Sequence, residues 1–357
     1  MKKVLLFLMV MFFLASCRPN QKSDSVRPMA DTVGFASKAY QIDSVMQRIE
    51  RLQGTLLSNA PRVSNSRLVI CPHDDYTYVG WLYPATLRSI TAHTVVIFGV
   101  AHKARRFGLE DKLIFDTFSK WHGPYGDIKV SELRDEIFER MPSEMAIHHD
   151  SMHMVEHSVE SMLPFLQQQN RNVKIVSILV PYMDLGRMGR TAKVLAGAIA
   201  TVLQEKGLEW GKDVALLVTT DAVHYGDEDW GDKNYAPFGT DSAGYSKAVQ
   251  LESEILVSAL TGSLTPEKVE LFTHFTLDPN NYKEYKWTWC GRYSIPVGLL
   301  TALELNRIMD DEPLTGLTVG YATSIDHEPI PVEDLGMGKT APANLHHWVG
   351  YAAVVYP

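Results

Sequence analysis

The chain has 357 residues and a formal net charge of -8. That length can bury a large core, as one domain or two. An acidic balance lacks the basic face that nucleic-acid binding needs, so no nucleic-acid partner is expected. Three cysteines are too few for a disulfide framework.

The N-terminus opens with Lys2 and Lys3, an apolar run over residues 4–15, and Ser16-Cys17. A basic start, a short apolar run and small residues before a cut site describe a secretory signal. The run is too short to span a bilayer, which needs about 20 apolar residues. Leu14-Ala15-Ser16-Cys17 resembles the lipobox of bacterial lipoproteins, in which the cysteine carries the lipid anchor. The expected organisation is a signal peptide at 1–16, a lipidated tether at 17–36 and one α/β domain at 37–357. Loss of Lys2 and Lys3 with the signal takes the net charge from -8 to about -10. The expected location is the cell envelope, on the outer membrane or the periplasmic face, with the membrane as partner through Cys17. Outside the cytosol, Cys71 and Cys290 either pair with each other or one is held as a metal thiolate.

Residues 38–57 carry Val45, Met46, Ile49, Leu52 and Leu56 at helical spacing. Apolar runs then recur at 68–71, 95–99, 175–180, 214–219, 317–322 and 349–356. Continuous runs of this kind fit strands buried on both faces. Helical patterns occupy 131–140, 153–169, 185–204, 242–260 and 294–308. Alternation of the two predicts a mostly parallel or mixed central sheet sandwiched by helices.

His73, His102 and the pair Asp221 and His224 each follow an apolar run by a few residues. In open α/β sheets, ligand sites gather outside the carboxyl ends of the strands. Three strands would then bring imidazoles, the commonest transition-metal ligands, to one edge. Cys290 lies in Trp287-Thr288-Trp289-Cys290-Gly291-Arg292. Trp121, Tyr125, Trp230, Trp287 and Trp289 are candidate pocket aromatics. His153, Glu156 and His157 also match H-x-x-E-H, the inverted zincin signature. On one helix the two histidines would share zinc, with Glu156 as base, and Pro164 would end or kink that helix.

The segments Pro72-His73-Asp74-Asp75-Tyr76, Phe98-Gly99-Val100-Ala101-His102, Glu156-His157-Ser158-Val159-Glu160, Thr220-Asp221-Ala222-Val223-His224 and Cys290-Gly291 follow one another in an order that resembles the MEMO family. That family is also component B of the AmmeMemoRadiSam group. The resemblance runs from Leu68 to the C-terminus. It implies a fold like that of class III extradiol dioxygenases. It also implies one iron or copper ion on His73, His102 and Cys290. It places Asp221 and His224 in the same pocket and Glu156 and His157 in a motif close by, with Tyr76 as a further pocket residue. Because imidazole titrates near working pH, His224, held by Asp221, is the expected proton donor or acceptor, and the two are the catalytic candidates.

Asp74 and Asp75 stand where the family commonly has Ala-Gly. They add negative charge beside His73, which would favour a cation and repel an anionic substrate. The resulting expectation is a membrane-anchored metal-binding protein, dioxygenase-like on a small organic substrate. A metal-holding or peptide-binding module without turnover is the alternative, and a zinc hydrolase a minor one.

Overall fold

The computed structural model describes residues 25–357. The signal peptide, Cys17 and the first part of the expected tether lie outside the described residues. Six strands organise the fold: β1 Leu68–Cys71, β2 Thr94–Val100, β3 Lys174–Val180, β4 Val214–Thr219, β5 Thr315–Thr323 and β6 His347–Tyr356. Their lateral order is β3-β2-β4-β1-β6-β5, with short strands extending both edges. The first four are parallel. β6 runs antiparallel to β1, and β5 antiparallel to β6.

Successive side chains of a strand point to opposite faces, and here each face meets a core of its own. Leu68, Val96, Phe98, Leu216 and Val218 point into one apolar layer. Val69, Val95, Ile97, Ala215 and Leu217 point into the other. This is why the strand sequences are continuous apolar runs without alternation. The helices that flank the sheet include α1 Ala39–Leu52, α2 Leu163–Gln169, α3 Leu185–Lys206, α4 Ser242–Ile255 and α5 Ser294–Met309. α3, α4 and α5 face the first layer, whereas α1 and α2 face the second. Among the described residues, no helix is long and apolar enough to cross a membrane. The mixed sheet flanked by helices is the expected α/β fold.

Three boundaries differ from the sequence reading. The helix expected over 38–57 breaks at Gln53 into α1 and a short helix, Gly54–Asn59. The buried Gln53 side chain accepts from the Trp81 backbone and donates to the Glu328 carbonyl, so tertiary bonds replace helix continuation. The helix expected over 153–169 is also two pieces, Asp150–Met154 and α2. Between them the Glu156 carboxylate accepts from the backbone N–H groups of His157 and Ser158 at 3.0 and 2.9 Å, a local alternative to the helical ladder.

The packed body also begins before residue 37. Val26–Arg27 pairs in parallel with Lys120–Trp121. Phe35 and Ala36 belong to the second core layer. Arg27 is only 1% exposed, ion-paired with Glu160 and bonded to the carbonyls of His153 and Glu156. The polar composition of this stretch conceals those few anchoring residues.

Candidate metal centre

Strand register sets the first part of the site. Cys71 on β1 is level with Thr219 on β4, so His73 and Asp221 come level two residues further on. The His73 backbone N–H donates to Asp221 Oδ1 at 2.9 Å. The neighbouring β2 delivers His102 to the same edge. Gly99 on β2 is required by contact: a Cβ there would stand 2.7 Å from both Leu179 and Val159. Its absence lets the 156–160 segment close over the strand end.

Cys290 comes from the loop before α5. Its Sγ accepts from the Asp221 backbone N–H at 3.0 Å. The next residue bonds Thr220 Oγ1, and a Cβ on Gly291 would lie 2.2 Å from that oxygen. Only glycine permits so close an approach.

His73 is the shared corner of two potential ligand sets. One is His73, His102 and His157; the other is His73, Asp221 and Cys290. Within each, the donor atoms lie within 4.8 Å of one another. His73 Nε2 is 3.4 Å from Cys290 Sγ and 3.4 Å from Asp221 Oδ2. Ligand atoms at roughly 2.1 and 2.3 Å from one metal stand about 3.1–3.6 Å apart for angles between octahedral and tetrahedral. The spacing from His73 to Cys290 and to Asp221 therefore fits a common ion, whereas His102 and Cys290 share no single ligand set. His73 Nδ1 lies 3.0 Å from Thr219 Oγ1. With the proton on Nδ1 donated to that hydroxyl, Nε2 presents its lone pair to the centre.

Electrostatics supports the same assignment. Burial lowers the pKa of His73 to about 3, despite the opposing Asp221 charge. The ring is therefore neutral, and its contact with Asp221 is not an ion pair. Burial works against the charge of Asp221, but His73, His224 and the His73 backbone N–H outweigh it and hold its pKa down at about 2. The Cys290 thiol is pushed well up by burial and by the Asp221 charge. A bound cation reverses that balance and favours thiolate.

Glu156 is the support of His102. Its two oxygens accept from His102 Nδ1 at 2.9 Å and from the His102 backbone N–H at 2.8 Å. Nε2 is thereby left as the free donor atom. Burial disfavours charge on His102, yet the Glu156 carboxylate wins and raises its pKa. The His157 ring stacks on His102 at 4.8 Å and meets the His73 ring edge-on at 5.7 Å. His102 and Cys290 belong to different ligand sets but share a cavity of about 60 Å³, with Tyr182, Tyr285, Arg292 and Tyr293 as further walls.

A model of the Memo-like protein family matches residues 35–330. The chain belongs to the Memo-like family. It is 32% identical over 186 residues to a MEMO1 family protein of Pyrococcus furiosus, covering 49% of this chain and 58% of that one. A MEMO1 family protein of Aquifex aeolicus is 25% identical over 287 residues, 78% of this chain and 87% of the relative. One from Saccharolobus solfataricus is 31% identical over 163 residues, 44% and 52% of the two chains. The chain thus spans little more than half the length of the archaeal relatives it matches, and most of the Aquifex one.

Within this Memo-like site the remaining sequence candidates separate. His224 Nε2 is 3.9 Å from Asp221 Oδ2. That nitrogen is buried and has no hydrogen-bond partner among the described residues. Tyr76 is a core residue: its hydroxyl donates to the Ser161 carbonyl and its ring packs on Tyr83 and Phe165. His153 is fully buried, with Nε2 3.1 Å from the Ile114 carbonyl, and belongs to neither ligand set. The inverted-zincin geometry is absent because the helix it needs is interrupted, and Glu156 supports His102 instead of acting as a base. Cys71 and Cys290 are both free thiols, with Cys71 inside the core.

Asp74 and Asp75 do not line the cavity. Asp74 accepts from the Tyr351 hydroxyl at 2.7 Å and Asp75 from Thr340. None of the five aromatics singled out from sequence lines it either; its rings are Tyr182, Tyr285 and Tyr293.

Glu252 was not a sequence candidate. It accepts from both Trp287 and Trp289 Nε1 on one oxygen and from the Val223 N–H on the other. It therefore ties the Asp221–His224 turn to the Cys290 loop. A signal existed: Ala248, Glu252 and Ile255 share the buried face of α4, and a carboxylate there needs partners.

Proposed function

We propose that this Memo-like protein holds one non-haem iron or copper ion on His73, His102 and Cys290 and acts as a dioxygenase-like redox enzyme on a small organic substrate. The observation that carries the reading is His73, a buried neutral imidazole whose Nε2 lies 3.4 Å from the Cys290 sulfur. Bound iron or copper supplies Lewis acidity and redox chemistry. The chain's own residues do the rest. Glu156 fixes the ring of His102, and such outer partners set ligand orientation and basicity. Thr219 fixes His73. His224 Nε2, next to Asp221, takes or gives a proton. The thiolate makes the donor set softer than a purely nitrogen and oxygen one, which favours copper or a low-valent iron.

A second reading is a metal holder without turnover. It is favoured by His73, Asp221 and Cys290, all three buried, of which only Cys290 lines the cavity. Metal analysis of protein purified under reducing conditions tests the centre, with His73→Ala, His102→Ala and Cys290→Ala alongside. One ion per chain, lost in the variants, is the expected result. Wild type without stoichiometric metal removes both readings. Oxygen uptake with a panel of catechols then separates enzyme from holder.

The anchor is proposed from Leu14-Ala15-Ser16-Cys17 alone. Cys17→Ala releases the protein from the membrane fraction if lipid on that residue holds it, and continued membrane association of the variant removes the proposal.

A further inference from the structure

The wall of the cavity carries a cation without an acidic partner among the described residues. Arg292 is 4% exposed and lines the same space as His102 and Cys290. One Nη donates to the Lys283 carbonyl at 3.1 Å, the hydroxyls of Tyr285 and Tyr293 interact with the group, and its Nε has no partner among the described residues. The neighbouring cations are matched: Arg105 pairs with Glu284, and Lys283 with Glu110. Arg292 instead lies over the faces of Tyr285, Tyr293 and Tyr182, at 3.5, 4.7 and 5.8 Å from the ring centroids.

Arginine cannot shed its charge in a protein. A buried charge is costly unless it is paired. Ring faces offset only a part of that cost. They leave the Nε edge of the planar fork unmatched, and that fork is shaped for a carboxylate or a phosphate. The cavity has the matching size. About 60 Å³ holds a few water-sized groups, the bulk of an anionic headgroup. The acidic groups around it are committed elsewhere: Glu156 to His102, Asp221 to His73, Asp74 to Tyr351 and Asp75 to Thr340.

We infer that Arg292, caged by Tyr182, Tyr285 and Tyr293, is an anion subsite beside the metal centre, and that the substrate is a small organic anion seated through its carboxylate or phosphate. The inference replaces the expectation that Asp74 and Asp75 repel anions. It deepens the proposed function by naming a substrate class, and as substrate recognition it rests on that reading. The subsite itself requires no metal, so its test is made on the metal-free chain.

Acetate and inorganic phosphate are titrated into the full chain after chelation. Binding is followed by calorimetry and by the ¹⁵N resonance of Arg292 Nε. The expected result is that one of the two anions moves that resonance, and the anion that binds more tightly identifies the headgroup. Arg292→Met weakens binding by about tenfold or more, the scale of a lost charge-assisted pair, and Arg292→Lys falls between. A resonance unmoved by either anion overturns the subsite, as does equal affinity in wild type and Arg292→Met. The wild-type resonance decides the matter even if a variant does not fold. Failure of the metal reading shows instead as missing metal in wild type, with anion binding intact.

Discussion

Glu156→Gln tests the centre at its support. The carboxylate holds four donors: His102 Nδ1, His157 N and Ser158 N on Oε1, and His102 N on Oε2. An amide can keep its oxygen towards the first three. Its NH₂ then faces the His102 N–H, donor against donor. Loss of an outer partner of a metal-bound histidine costs about 10–100-fold in affinity, or roughly 1.4–2.7 kcal/mol. The clash puts this substitution towards the upper end. Competition with a chromophoric chelator across about pH 6–8, where imidazoles titrate, reads the effect.

The pH trend has a definite sign. Burial alone would lower the pKa of His102; the Glu156 charge overrides it and raises that pKa. Protons therefore compete with metal in wild type as pH falls through the raised value. In the variant only the Asp221 charge still opposes burial, and competition begins at lower pH. The ratio of wild-type to variant affinity thus shrinks towards acid pH. A change below about twofold, or a ratio that grows as pH falls, would refute the role given to Glu156.

Glu160→Gln leaves Arg27 buried beside a neutral amide, and the backbone N–H groups of Ala30 and Asp31 lose a charged acceptor. Denaturant unfolding should show a loss of about 3–5 kcal/mol, and less in the double variant Arg27→Met with Glu160→Leu. Glu252→Gln should flatten part of the stability profile. Burial raises the pKa of Glu252 from its ordinary 4.5 to about 7, against the bonds from Trp287 and Trp289. The folded state thus binds this proton more tightly. The stabilisation is fully present below about 4.5 and is lost as pH rises through about 7, a swing of at most ~3 kcal/mol. A wild-type profile parallel to that of the variant counts against it. His153→Gln should leave metal stoichiometry per folded chain unchanged, and loss of the ion would restore the zincin reading.

The sheet and the edge where the site lies were legible because burial on both faces writes a strand as an unbroken apolar run. The residue just past each run is then at a strand end. His73, His102 and Asp221 emerged in that way. What the sequence concealed were side chains whose role depends on a distant partner. Glu156 looked like part of a helix, yet it accepts four N–H groups. Arg27 lay in a polar stretch, and its partner is 133 positions away. The cavity rings Tyr182, Tyr285 and Tyr293 carry no local signature. Of the five candidate pocket aromatics, Trp287 and Trp289 bond Glu252, Trp121 bonds Asp116, and Trp230 stacks on His224 at 5.3 Å. Asp74 and Asp75 were placed beside His73 by adjacency in sequence, but their side chains bond Tyr351 and Thr340.

The segment from Glu156 to Glu160 joins the two halves of the proposed function. At one end Glu156 holds His102. In the middle Val159 packs where Gly99 has no Cβ. At the other end Glu160 clamps Arg27 and so fixes where the N-terminal segment leaves the body. The expected tether of residues 17–36 is thereby shortened, because the chain is docked from Ser25 onward. Eight peptide links between Cys17 and Ser25 reach no more than about 30 Å when fully extended. A globular body of this chain length is itself roughly 50 Å across, from a radius of gyration near 20 Å. If lipid sits on Cys17, the anchor cannot lift the domain by as much as its own diameter. The segment that holds His102 through Glu156 is thus also the one that fixes, through Glu160 and Arg27, the point from which such a tether would start.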